Sequence, residues 1–70
     1  MTLAKASQGS KLKVRGLHGN EKVNRFLFSL GCGEGEEITL VSILAGNYVI
    51  NIKDSRYAID RKMAQYIEVA

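Results

Sequence analysis

At 70 residues and 7.7 kDa the chain has room for one small hydrophobic core and little to spare for a deep active-site cavity. Its 46% apolar and 24% charged residues are those of a folded domain rather than a disordered segment. Its apolar runs are too short for a transmembrane helix or a signal-peptide core, so a cytoplasmic protein is expected. The net charge of +3 is uneven: Lys5, Lys11, Lys13, Arg15, Lys22 and Arg25 face only Glu21. That half is either a solvated surface or an attraction for an acidic protein, anionic lipid or RNA, with the solvated surface the simpler reading.

Proline is absent and seven glycines punctuate the chain, with no repeat or linker-like run, so one domain spanning residues 1–70 is expected. Lys11 to Arg15 alternates polar and apolar residues, the period of a half-buried strand with Leu12 and Val14 inward. A turn from Gly16 to Gly19 follows. Asn20 is suited to cap a helix, and Glu21 sits favourably at its positive end, giving a helix from Glu21 to about Leu30. Val23, Phe26, Leu27 and Leu30 fall at i, i+3, i+4 and i+7 and are expected to form the buried stripe, with Phe28 outside it. Gly31 stands where a left-handed cap would end the helix, and Cys32 is expected to act as a small core residue.

Ile38 to Leu44 and Tyr48 to Lys53 are rich in β-branched residues and flank Gly46-Asn47, which predicts a hairpin. A turn at that pair sets Val41 opposite Ile52, Ile43 opposite Ile50 and Leu44 opposite Val49. The parity of Ile38 and Leu40 conflicts with that of Val41 and Ile43, so the sheet either carries a bulge near Val41 or curls enough to half-bury both faces. Tyr57 to Ile59 is a further short strand, Asp60 a cap for a single turn from Arg61 to Tyr66, and Ile67 to Val69 a closing strand. The expected fold is mainly β: a small SH3-like β-barrel of about five short strands with one α-helix.

Taken together, Gln8-Gly9, the helix end Arg25-Phe26-Leu27-Phe28-Ser29-Leu30-Gly31, the turn Gly33-Glu34-Gly35 and the terminal pattern Ala58-Ile59-Asp60-Arg61, Ala64, Ile67-Glu68-Val69 resemble the FeoA family over almost the whole chain. Glu34 departs from the proline usual in that turn, Asp60 stands where arginine is common, and the hairpin is short. The resemblance implies an SH3-like barrel that serves bacterial ferrous-iron uptake. The implied partner is the membrane ferrous-iron transporter with its cytosolic GTP-binding domain, met at the inner face of the membrane. It also implies a relation to the barrel modules of iron-dependent repressors.

The residues themselves offer no paired nucleophile and base, and the glycines at 31, 33 and 35 follow a helix and precede a strand, the reverse of a phosphate-binding order. A non-enzyme with no cofactor and no small-molecule substrate is therefore expected. His18 and Cys32 are too few to build a zinc site, and Glu34, Glu36 and Glu37 are expected to be solvated, which leaves metal ligation only between molecules. Two Phe, three Tyr and no Trp are sparse for base stacking, which argues against nucleic acid as the partner. The candidate contact residues are Phe28, off the helix stripe, and the hairpin residues Leu44 and Val49, which together leave room for a partner protein or a homo-oligomer.

Overall fold

A computed structural model describes residues 1–70. After a 3-10 turn at Leu3–Lys5 the elements are β1 (Lys11–Leu17), α1 (Glu21–Ser29), β2 (Glu37–Leu44), β3 (Asn47–Ile52), β4 (Ser55–Asp60), α2 (Arg61–Ala64) and β5 (Ile67–Val69). The strands form one five-stranded antiparallel sheet in the order β4-β3-β2-β1-β5. β1 makes the sheet curl. Its Lys11–Lys13 half pairs with β2, and from Val14 to Leu17 it pairs with β5, with the register slipping between Val14 and Gly16. The result is the SH3-like, mainly β architecture expected, although the sheet does not close and β4 and β5 remain its two edges.

The local chemistry follows the sequence closely at the helix ends. The Asn20 side chain accepts from the Val23 N–H at 2.8 Å, and Glu21 pairs with Arg25 one turn on at 2.6 Å. At the other end Cys32 N–H donates to the Leu27 carbonyl and Gly31 N–H to that of Phe28, the paired bonds of a Schellman cap. Gly31 supports that cap with φ +108°, and a Cβ there would lie 2.8 Å from Ile52 Cγ2, so the position demands glycine on conformation and on space. Asp60 caps α2 in the same manner as Asn20, accepting from Met63 N–H at 2.8 Å. α2 is a single turn, shorter than the span from Arg61 to Tyr66.

Four further details differ from the expectation. β1 runs on through Gly16 and Leu17 instead of turning at Gly16, because the backbone of those residues pairs with Glu68 and Ile67 of β5. In the hairpin the turn is Ala45-Gly46, not Gly46-Asn47. Both residues have positive φ, 51° and 81°, as a type I′ turn requires. Leu44 therefore faces Asn47, Ile43 faces Tyr48, and Ser42 faces Val49. The register slips between Leu40 and Ser42, so Val41 is the bulge residue, which resolves the parity conflict in favour of a bulge.

The third difference lies in the helix stripe. Leu27 is wholly buried, Val23 and Leu30 are partly buried, but Phe26 is 46% exposed. At about 100° per residue, Val23, Leu27 and Leu30 lie within a narrow arc and Phe26 falls on its flank, where a short helix on a strongly curled sheet has nothing to cover it. The fourth concerns the N-terminal segment, for which no element was expected. Leu3, Ala4 and Ala6 are buried in the main core, and Tyr48 Oη donates to the Ala4 carbonyl at 2.8 Å. The core that results contains no buried polar or charged residue other than tyrosine, and Tyr48 has its partner.

Candidate interaction surface

Phe28 is 65% exposed, and Leu44 is 63% exposed, which makes them the two most exposed large apolar side chains. Phe28 projects from the last turn of α1 over the loop that follows. Its ring lies against Gly33, where an added Cβ would come within 3.2 Å of Cε1. Phe28, Gly31, Gly33, Glu36 and Lys53 line a shallow cleft of about 140 Å³, and Lys53 Nζ stands 3.9 Å from Glu36 Oε1 across it. The same Glu36 and Lys53 border a wider polar groove of about 490 Å³ on the outer sheet face, completed by Lys11, Glu37, Thr39 and Asn51. An exposed aromatic thus adjoins a groove that carries both signs of charge.

Leu44 and Val49 form a separate locus. They are diagonal neighbours on the outer face, since Leu44 pairs with Asn47 and Val49 with Ser42, and Val49 is flanked on its other side by Ala58 of β4. Leu44 lies beside the Ala45-Gly46 turn. Glu36 and Lys53, which flank Phe28, lie at the opposite end of the same hairpin. Along β2 Leu44 lies eight residues from Glu36, roughly 26 Å, and along β3 Val49 lies four from Lys53, roughly 13 Å. The structure therefore brings Leu44 and Val49 onto one face and holds Phe28 apart from them.

The remaining candidates are dispersed. Cys32 is fully buried, and desolvation pushes its thiol up to about 11, so it is neutral. His18 is exposed, with Nε2 3.8 Å from Glu68 Oε1. No three His, Cys, Asp or Glu side chains converge, so the chain gathers no metal-ligand set of its own. Glu68 is instead engaged by the Met1 ammonium, whose hydrogen bond holds its carboxyl below the ordinary value, with His18 adding to the effect. Phe26, expected in the buried stripe, is half exposed instead. The only signal for it was the shortness of the helix.

A small, strongly curled five-stranded antiparallel sheet in this strand order places the chain among the small SH3-like domains. The FeoA domain model matches residues 1–70, and the chain belongs to that family. The crystal structure of an iron uptake regulatory protein, FeoA, is 24% identical to this chain, with a TM-score of 0.92 and coverage of 100% of this chain and 93% of that one. FeoA of Stenotrophomonas maltophilia, crystallised with zinc and described as an SH3 domain protein and a candidate activating factor for ferrous iron transport, is 24% identical at a TM-score of 0.88, covering 100% and 89%. The manganese regulator SloR contains the same fold as part of a longer chain, at 17% identity and a TM-score of 0.87, covering 100% of this chain and 34% of that one. A comparison with curated protein sequences gave no match. No helix is long and apolar enough to cross a membrane.

Proposed function

We propose that the protein is an accessory factor of ferrous-iron uptake, acting at the cytoplasmic side by contact with the membrane transporter and its GTP-binding domain, without chemistry of its own. The observation that carries this reading is the FeoA-domain match over the whole chain. The description of the S. maltophilia relative as a candidate activating factor for ferrous iron transport supports the same role. Phe28 is the anchor of the contact. It offers a large apolar face already held over Gly33, so little side-chain freedom is lost on docking, and the Glu36–Lys53 pair beside it supplies a polar rim. Leu44 and Val49 form a second, smaller contact at the far end of the hairpin.

The test is the affinity of the parent and of two variants, Phe28→Ser and the double Leu44→Ser/Val49→Ser, for the immobilised GTP-binding domain. Native circular dichroism confirms the fold of each. Loss of an anchor contributing about 2 kcal/mol weakens binding by more than tenfold. Unchanged affinity in Phe28→Ser moves the contact elsewhere, and no binding by the parent removes the transporter domain as partner.

A further inference from the structure

The two edges of the sheet are treated differently. β5 is covered: Val69 N–H donates to the Met1 carbonyl at 2.8 Å, and Thr2 bridges to Glu68. β4 is not. Within the sheet its backbone pairs only with β3, and apart from the Asp60 carbonyl, which opens the α2 turn, its outward N–H and carbonyl groups have no strand partner. A six-residue edge strand without proline, bulge or central lysine is an open template for another strand.

The side chains of β4 narrow the choice of occupant to a second copy of the same chain. In Ser55-Arg56-Tyr57-Ala58-Ile59-Asp60 the exposed Arg56 and Asp60 lie symmetrically about the exposed Ala58. An antiparallel pairing with a two-fold axis at Ala58 sets Arg56 opposite Asp60 of the other copy twice over, Tyr57 opposite Ile59, and Ala58 opposite itself. Every pair in this register joins residues of like parity, so their edge-facing hydrogen-bonding groups match. Centring on Arg56 or Asp60 instead would oppose like charges. Both charged groups keep atoms available for pairing. Arg56 is steadied by its Nε bond to Asn51 Oδ1 at 2.9 Å, which leaves its terminal nitrogens free, and Asp60 uses Oδ1 for the α2 cap, which leaves Oδ2. The Leu44, Val49 and Ala58 surface of one copy would run on into that of the other.

We propose that the protein self-associates through β4, forming a two-fold dimer with a continuous ten-stranded sheet centred on Ala58. This inference does not depend on the transporter contact. Sedimentation equilibrium of the parent should show a mass rising with concentration from 7.7 kDa toward twice that value. Arg56→Glu should weaken association by about tenfold by turning two attractive pairs into repulsive ones. Ala58→Lys, which touches neither Asn51 nor the α2 cap, should do the same by opposing two ammonium groups. Register is read by oxidation. At the axis Ala58→Cys has a Cα separation of about 4.5–5.5 Å, within disulfide reach, and should cross-link. Arg56→Cys is offset by four residues, roughly 13 Å, and should not. A parent that stays monomeric up to its solubility limit, a mass unaffected by Ala58→Lys, or equal cross-linking of the two cysteine variants would overturn the proposal.

Discussion

Phe26, Leu27 and Phe28 are consecutive, yet their surroundings divide them into three roles. Leu27 is wholly buried, Phe26 is half out and Phe28 lies on the surface. Leu27→Ala should cost about 2–5 kcal/mol, because it empties a site between helix and sheet that the short α1 cannot collapse into. Phe26→Ala should cost about 1–2 kcal/mol and Phe28→Ala less than about 1 kcal/mol, since most of their area stays in water. Urea denaturation of the three variants checks the order, and a Phe26→Ala loss equal to that of Leu27→Ala would show that the helix is turned further inward. This is where the sequence was least informative. A 3.6-residue period ranks residues by angle, but how wide an arc is covered depends on the curl of the sheet beneath, which no local pattern encodes. Phe28 was legible as off the stripe because its angle is far from Leu27 whatever the curl. Its separation from Leu44 was not, since it depends on which end of the hairpin α1 meets.

Among the elements, the helix ends and the five strands were legible, and what was not legible was where long-range pairing overrides a local turn signal. Asn20, Gly31 and Asp60 announce the helix ends through side-chain capping or positive φ, and each does so in the structure. The bulge at Val41 was legible as a parity conflict. Gly16 reads locally as a turn, and only its pairing with Glu68 keeps β1 extended. The hairpin turn was misplaced by one residue for a related reason: Gly46-Asn47 has better turn chemistry than Ala45-Gly46, and the pairing of Leu44 with Asn47 overrides it. Ala45 then adopts φ 51°, a conformation unfavourable for a residue with a Cβ and no side-chain hydrogen bond to offset it. Ala45→Asn creates Asn-Gly, the preferred pair for a type I′ turn, and should raise stability by about 0.5–1 kcal/mol. In a domain of this size that is a rise of several degrees in melting temperature, about 4–8 °C per kcal/mol. A fall in melting temperature would mean that the turn is not type I′ in solution.

At the scale of the molecule, two ionisable groups give the stability opposite dependences on pH. The carboxyl of Glu68 is lowered from its ordinary 4.5, chiefly by its hydrogen bond with the Met1 ammonium, a contact that also fastens the N-terminal segment over β5. A folded value below the unfolded one means that the stabilisation is present above the ordinary carboxylate value and is lost as pH falls past it. Cys32 acts in the opposite sense. Burial raises its thiol from 9.0 to about 11, so below pH 9.0 both states are neutral and folding is not opposed. Between these two values the unfolded thiol ionises while the folded one cannot, and stability declines as pH rises. Thermal melts across the pH range should therefore fall at both ends. Glu68→Gln should flatten the acid limb. Cys32→Ala should lower stability throughout, through the small cavity it leaves, and the difference between parent and variant should shrink above pH 9.0, where only the parent has a thiol to ionise. A parent-minus-variant difference that stays constant through the alkaline range would show that the Cys32 thiol is not buried in the folded protein.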